Sequence, residues 1–244
     1  IATIDKYFGG LKPNPDLPKL DLPKETPITA PVVREILGPD AESVALAWRF
    51  PGAADKDVET LQVVSQILYN GQAGLIDLDL TQQQKTLSAY CYPMTMSDYS
   101  AFMMQGRPKQ GQTLDEVKDL LLGELKKLRE GDFDEKMLEA NINNFKLYQM
   151  QQLENNDARA DMFVESFVNG SDWADEVTAL DRMSKLTKDD IVAFANKYLK
   201  DDNYAVIYKK QGKDPNEKKM SKPEITPIVM NRDTVSTFLK EIQA

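Results

Sequence analysis

The order in which two kinds of hydrophobic periodicity follow one another limits the folds open to this chain. Residues 43–50, SVALAWRF, form a short apolar run ended by Pro51-Gly52, which is typical of a buried strand. In residues 57–71 the apolar residues instead recur at helical spacing, and Gly71 follows the last of them. The full order is two strands, two helices, two strands, a cluster of helices and a strand. It lacks the regular strand–helix alternation of a doubly wound sheet, so it predicts an α+β fold: two layers, with helices packed on one face of a mostly antiparallel sheet.

The remaining elements follow from the same periodicities and from helix-capping residues. Thr113 and Thr187 each precede a helical pattern, and Glu116 stands in the capping-box position after Thr113. The predicted helices also include a second one that ends in the glutamine row 82–84. The predicted ranges are 73–84, 134–153, 155–169 and 172–183 for helices, and 86–96, 99–106 and 204–210 for strands.

Proline and polar residues mark the limits of the folded part. Residues 11–31 contain six prolines, and proline fixes φ and removes a backbone donor, so this stretch predicts an extended linker. Residues 211–223 are polar, and the segment that follows has no obvious core of its own. We therefore expect a linker over 1–31, one domain over 32–210, and a second linker over 211–244.

Histidine is absent from the sequence, and this restricts the chemistry of the chain more than any other count. Histidine is the usual zinc ligand and the usual general base near neutral pH, so this chain alone cannot form a His-based zinc site or a Ser-His or Cys-His catalytic pair. The net charge of -9 argues against a nucleic-acid surface. No apolar run approaches the roughly 18 residues of a membrane span.

Other side chains that could suggest a site have simpler interpretations. We expect Asp77 and Asp79 to lie on a solvated helix face, because the further oxygen donors and the glycine of a calcium loop are missing. Cys91 has no basic neighbour in sequence, which favours a buried, inert thiol. Core or interface packing is the expected role of four methionines, and a favourable charge at a helix N-terminus that of three acidic residues. These two sets are Met94, Met96, Met103 and Met104, and Asp132, Asp134 and Glu135.

Several phrases, in order, resemble the second, non-catalytic domain of insulinase-type (pitrilysin-like) zinc metallopeptidases. IDKYFGGLKPNP is similar to the end of a preceding domain and its linker, and FPGAADKDVETLQVVSQILYNG to the family's strand, Pro-Gly turn and helix. ELKKLREGDFDEKMLEANINNFK is similar to the family's two helices joined at a glycine. LTKDDIVAFANKYLKDDNYAVIY is similar to its closing helix and strand. The resemblance covers about residues 1–210.

The resemblance implies a catalytic site outside this chain. Members of the family bind zinc through an inverted motif of two histidines flanking a glutamate, and a metal-bound water attacks the peptide bond. That motif is absent here, so we expect an upstream zinc-bearing domain and, after residues 213–244, a downstream half of the same parent chain. The chain itself would hold no cofactor, and its ligand would be a peptide substrate.

The resemblance also points to one corner of the chain, LTQQQKTLSAYCYPM, as a substrate contact. In the family's second domains, a helix ending in arginine leads into a strand that bears a tyrosine seven residues later, and both side chains reach toward the substrate backbone. Gln83 and Tyr90 have that spacing here. Aligning Leu87 with the family's leucine would instead pair Gln82 with Ala89, and in either register the arginine is missing. A plain helix-to-strand corner is the alternative interpretation.

Three functions therefore remain open from the sequence. The first is the substrate-enclosing, non-catalytic domain of a zinc endopeptidase, with Gln83 and Tyr90 binding substrate. The second is a structural or assembly subunit of the same fold in a chain that has lost the zinc motif, and the third is an unrelated α+β binding module. The single cysteine fits a reducing compartment or a bacterial periplasm. Of these we favour a periplasmic or other extracytoplasmic bacterial location.

Overall fold

A five-stranded sheet forms one layer of the molecule. The computed structural model describes residues 1–18, 23–214, 221–226 and 235–243. The sheet order is β1-β5-β2-β4-β3, and every neighbouring pair is antiparallel except β1 and β5. The mostly antiparallel α+β fold predicted from the sequence is confirmed. The strands are β1 (Val32–Gly38), β2 (Ser43–Pro51), β3 (Ser88–Met94), β4 (Tyr99–Arg107) and β5 (Tyr204–Gln211).

The first two strands are neighbours in sequence but not in the sheet. β5 lies between them, parallel to β1 and antiparallel to β2. The last strand of residues 32–211 thus pairs with the first, so the two ends of this range lie side by side in the sheet.

Six helices between residues 57 and 198 form the second layer, and apart from the segment 73–84 their bounds agree with the sequence prediction to within a few residues. They are α2 (Asp57–Leu68), α3 (Leu114–Glu130), α4 (Glu135–Glu154), α5 (Asn156–Asn169), α6 (Trp173–Met183) and α7 (Lys188–Tyr198); two short helices, α1 (Ala2–Phe8) and α8 (Thr237–Gln243), lie outside this range. In the described ranges, none of them combines the length and apolar character needed to cross a bilayer.

Side-chain caps fix where several helices begin. The capping box of Thr113 and Glu116 is present at α3, and a second one joins Thr187 to Asp190 at α7. Asp134 accepts a hydrogen bond from the Lys136 amide at the start of α4. The acidic residue there therefore serves the helix N-terminus, as the sequence indicated.

The core lies between the helix layer and one face of the sheet. Along β2, Val44, Leu46, Trp48 and Phe50 are at most 1% exposed, whereas the residues between them are only partly buried. Because side chains alternate between the two faces of a strand, this pattern assigns one face to the core and leaves the other without helices. α2, α3 and α7 all pack on the core side of β2.

The helix predicted over 73–84 is shorter and differs in geometry. It ends in a π-helical turn at Asp77–Thr81, in which the amide of Gln82 donates to the carbonyl of Asp77. Gln84 then adopts a φ of 52°, a left-handed conformation that a helix does not continue through. The glutamine row consequently lies in a turn after the helix.

Candidate functional site

The side of the sheet that faces away from the helices carries small and half-buried side chains. We call this surface the open face; it is formed by Ala45, Ala47, Arg49, Tyr90, Tyr92, Ala101, Met103, Gln105, Ala205 and Ile207. Alanines occupy its middle, and Tyr90 and Tyr92 occupy the β3 edge. An open, shallow surface of this kind can accommodate an extended chain laid across the strands.

Tyr90, Tyr92 and Gln105 form a hydrogen-bonded group on the open face, which we call the tyrosine–glutamine cluster. Gln105 is directly opposite Tyr90 in the β3–β4 register. The Tyr90 hydroxyl donates to Gln105 Oε1 at 2.6 Å, and Gln105 Nε2 donates to the Tyr92 hydroxyl at 3.3 Å. The rings of Tyr90 and Tyr92 stack with centroids 6.1 Å apart, and Tyr69 flanks Tyr90 at 6.3 Å.

Gln83 is the other residue that the sequence singled out. It is exposed, and its side-chain hydrogen bond is to a residue outside the tyrosine–glutamine cluster. Its Nε2 is 3.4 Å from Asp79 Oδ1. Gln82, from the alternative register, donates through Nε2 to the Gln72 carbonyl at 2.9 Å. Among the described residues no hydrogen bond joins Gln83 to Tyr90, so the two predicted residues do not form a direct pair.

Two carboxylates near the corner have partners that the sequence did not indicate. Asp77 is 4% exposed, so its assignment to a solvated helix face was wrong. Its Oδ2 accepts from the amides of Asn70, Gly71 and Gly74 at 3.0, 3.1 and 2.9 Å. It thereby folds the loop after α2 back onto the start of the next helix, which is why it is buried.

Asp79 belongs to a charged group that also contains Lys127 and Glu124. Lys127 Nζ lies 2.6 Å from Asp79 Oδ2 and 3.1 Å from Glu124 Oε1. Burial raises the pKa of Glu124, and the bond from Lys127 offsets part of that rise. Burial lowers the pKa of Lys127, but hydrogen bonds to Asp79 and Glu124 outweigh it, so the pKa is raised overall. The group links the corner to α3.

The proline-rich leader touches one end of the open face. Arg49 Nη1 donates to the Thr26 carbonyl at 3.0 Å, and the Glu25 amide donates to the Tyr99 hydroxyl at 3.1 Å. The Arg49 guanidinium also lies over the Tyr99 ring, 5.6 Å from its centroid. Pro23, Lys24 and Glu25 thus help to line a cavity at this end.

The methionines and the cysteine occupy different environments. Met104 is fully buried, Met103 lies on the open face, and Met94 and Met96 are 41% and 50% exposed. Cys91 is buried, with Sγ 3.7 Å from the Ser65 carbonyl. Burial raises the pKa of the Cys91 thiol well above its usual range, which agrees with an inert, structural cysteine.

The described residues do not fit a zinc ion. In ranges 1–18, 23–214, 221–226 and 235–243, no group of three or more histidine, cysteine, aspartate or glutamate residues is placed to hold a metal. The sequence supplies no histidine, and its single thiol is the buried Cys91. Zinc sites need three or four such ligands around one point.

By its fold and its open face, the protein is a two-layer α+β domain without a metal centre among its described residues. The family described as the peptidase M16 inactive domain matches residues 1–145. That is more than half of the 244 residues, and the chain belongs to this family. The resemblance to insulinase-type metallopeptidases inferred from the sequence is confirmed.

Individual relatives agree with this assignment. A zinc protease called PqqE from Helicobacter pylori is 25% identical over 211 residues, which are 84% of this chain and 47% of that protein. The crystal structure of a protease from Helicobacter pylori matches with a TM-score of 0.75 at 22% identity, over 84% of this chain and 50% of that one. The periplasmic protease PqqL from Escherichia coli matches with a TM-score of 0.65 at 13% identity, over 85% of this chain and 24% of that one. The chain spans about half the length of the first two relatives, and these comparisons support a metallopeptidase parent.

The sequence analysis singled out Tyr90 but not its two hydrogen-bonded neighbours on the open face, Tyr92 and Gln105. The signal for Tyr92 was present, because Tyr90 and Tyr92 stand two apart in a strand and so share a face. Gln105 also had a local signal. A two-residue connection at Ser97-Asp98 between the predicted strands 86–96 and 99–106 pairs position 90 with position 105, which is the register that β3 and β4 adopt.

Proposed function

We propose that this chain is the substrate-enclosing, non-catalytic domain of a zinc-dependent endopeptidase whose zinc site lies in an upstream domain. The observation that carries the proposal is the open face, a sheet surface without helices that presents alanines and a hydrogen-bonding tyrosine–glutamine cluster. Membership of the peptidase M16 inactive-domain family supports a peptide as the occupant. A peptide would lie between this surface and the zinc-bearing domain.

The helix layer supplies a surface for the rest of the parent chain. Large apolar side chains on α4 and α5 are strongly exposed, and among them Tyr148, Met150 and Phe167 are 61%, 65% and 87% exposed. Large exposed apolar side chains on neighbouring helices favour an interaction site. Because the chain spans about half the length of its relatives, we assign this helix surface to contact with a part of the same polypeptide other than the zinc-bearing domain, which faces the open face. A downstream half would follow residues 211–244.

Blocking the open face tests the proposal in the full parent protein. Ala47 lies in the middle of that face, between Met103 and Ala205. Ala47→Trp should fill the surface and lower kcat/KM for fluorescein-labelled β-casein at least about tenfold, because the indole would occupy the space in which an extended chain would lie. Ala41→Trp, at an exposed position between β1 and β2, is the matched control and should keep full activity.

Equal activity of the two tryptophan variants would show that substrate does not touch the open face. A parent that contains neither zinc nor hydrolytic activity would instead favour the structural or assembly subunit. Metal analysis of the parent and of the isolated chain after dialysis separates these cases. Stoichiometric zinc is expected only in the parent.

Gln83 and Tyr90 have different expected roles within this function. Gln83 is a neutral amide that can donate and accept but brings no positive charge to a developing oxyanion. Gln83→Ala should therefore raise KM with little change in kcat. Tyr90→Phe should lower turnover, since its hydroxyl lies on the open face. Unchanged kinetics in both variants would leave the corner as an ordinary turn.

Domain limits and location complete the proposal. Residues 32–210 form the folded domain, so hydrogen exchange should be slow there and fast over most of 1–31 and 211–244, with the Glu25 amide slowed by its bond to Tyr99. Equally slow exchange in the leader and the core would contradict these limits. We place the parent in the periplasm, a proposal supported by the fold it shares with periplasmic PqqL. Recovery only from the cytosol after osmotic shock would overturn that location.

A further inference from the structure

The tyrosine–glutamine cluster has a defined hydrogen-bond direction. An amide side chain has one acceptor oxygen and one donor nitrogen, whereas a tyrosine hydroxyl can do either. Gln105 uses its oxygen to accept from Tyr90, at 2.6 Å, and its nitrogen to donate to Tyr92, at 3.3 Å. One side chain therefore accepts a hydrogen bond from the Tyr90 hydroxyl and donates a hydrogen bond to the Tyr92 hydroxyl.

This direction makes the two tyrosines chemically different toward a ligand. The hydrogen of the Tyr90 hydroxyl is engaged by Gln105, so a lone pair of its oxygen remains to accept. The oxygen of the Tyr92 hydroxyl receives the Gln105 amide, so its own hydrogen remains to be donated. Gln105 thus turns a symmetric pair of phenols into one acceptor and one donor.

The chemistry of this pair suits the main chain of an extended peptide. Each residue of a strand presents its N–H and its C=O to the same edge, and alternate residues repeat this pair of groups along that edge. The Tyr90 acceptor and the Tyr92 donor lie on the same face of β3, with their rings stacked at a centroid distance of 6.1 Å. One acceptor and one donor on one face can therefore bind a peptide N–H and a peptide C=O without reading any side chain.

We propose that Gln105 is a positioning residue that orients Tyr92 as a donor and Tyr90 as an acceptor for the backbone of a bound extended peptide. The inference rests on the proposed function, because it assumes that the open face holds substrate. It adds two residues to that site, Gln105 and Tyr92. It predicts that the two hydroxyls contact the main chain of the peptide and none of its side chains.

Gln105→Glu tests the direction of the bonds while nearly preserving shape. A carboxylate only accepts, so Tyr92 must turn its hydrogen toward Glu and can no longer donate to the peptide. Binding of fluorescein-labelled β-casein to the full parent protein, kept in EDTA to prevent cleavage, should weaken by about three- to tenfold, the usual effect of one hydrogen bond. Gln110→Glu, with the same charge change in an exposed loop, should bind like the wild type.

A double-mutant cycle separates positioning from a merely structural role. Tyr92→Phe alone should weaken binding as much as Gln105→Glu, and the double variant should be no weaker than either single one. Additive losses, or a Gln105→Glu protein that binds like the wild type, would overturn the inference. If Gln105→Glu fails to fold, the same cycle is run with Gln105→Met, which removes both bonds and should make Tyr92→Phe less damaging.

The Ala47→Trp variant distinguishes failure of the inference from failure of the proposed function. If Ala47→Trp abolishes binding while the Gln105 and Tyr92 variants do not affect it, the open face holds peptide but the cluster does not orient it. If Ala47→Trp also leaves binding unchanged, or the parent does not bind β-casein at all, the proposed function is wrong and this inference fails with it.

Discussion

Removing the Asp77 carboxylate should be among the most damaging single changes near the corner. Its Oδ2 accepts three backbone hydrogen bonds, from Asn70, Gly71 and Gly74, and the residue is 4% exposed. A hydrogen bond to a charged group contributes about 1.5–3 kcal/mol, and an amide left unpaired in the interior costs a similar amount. These bonds hold the loop between α2 and the π-helical turn.

The magnitude follows from how buried each donor is. The Gly74 bond is buried and should contribute about 2 kcal/mol, whereas the bonds from Asn70 and Gly71 are partly buried, where water can replace the carboxylate, and should contribute about 0.5–1.5 kcal/mol each. Asp77→Ala should therefore lower the free energy of unfolding by about 3–5 kcal/mol. Asp77→Asn keeps one acceptor oxygen and should lower it by about 1–2 kcal/mol.

Urea denaturation of the 244-residue chain measures these differences, with the exposed Asp132→Asn as the control for lost negative charge. With a urea slope of about 2–3 kcal/mol per molar, Asp77→Ala should move the midpoint down by about 1–2 M, and the control should change the free energy by less than ~0.5 kcal/mol. Hydrogen exchange of the Gly74 amide should accelerate in parallel. A loss below about 1 kcal/mol, or an unchanged Gly74 amide, would refute this account of the loop.

Three further predictions concern the core. Cys91 should not react with a disulfide reagent at pH 8 until urea unfolds the chain, because burial raises the pKa of its thiol; rapid labelling of the native protein would contradict its burial. Gly106→Ala should lower stability by about 1–3 kcal/mol, since the added Cβ would lie 2.4 Å from Val117 Cγ1. Gly123→Ala, in open space within α3, should raise stability by about 0.5–1 kcal/mol, and a loss in both variants would mean that space is not the cause. Burial raises the pKa of Glu124 above its ordinary 4.5, so its contribution to stability is full below that pH and is lost as pH rises through the folded-state pKa. Unfolding free energy measured from pH 4 to 7 should consequently rise in Glu124→Gln relative to the wild type, and a constant difference would contradict the assignment.

Local sequence signals determined the elements and the layer architecture. The alternation of buried and half-buried residues along Ser43–Pro51 is a property of neighbouring residues, as are the capping boxes at Thr113 and Thr187. Each involves residues within four positions or one strand, where steric and hydrogen-bond preferences act without the rest of the fold. The α+β class followed from the order of these elements.

The corner illustrates where local signals fail. The residues of 73–84 are compatible with a helix, but Asp77 turns its carboxylate to three amides of the preceding loop and Gln84 adopts a positive φ. Those three amides lie in the loop after α2, whose conformation the helical pattern of 73–84 does not indicate. A buried carboxylate and a solvated one look alike in sequence, because burial depends on what packs against them.

The candidate site itself divides in the same way. The sequence determined that Tyr90 and Tyr92 share one face of a strand, since side chains alternate in any strand. Only the tertiary structure decided that this face is the open one and that Gln105 joins their hydroxyls. The side of the sheet that the helices cover is set by contacts between distant residues, and both tyrosines would lie in the core if the helices covered the opposite side.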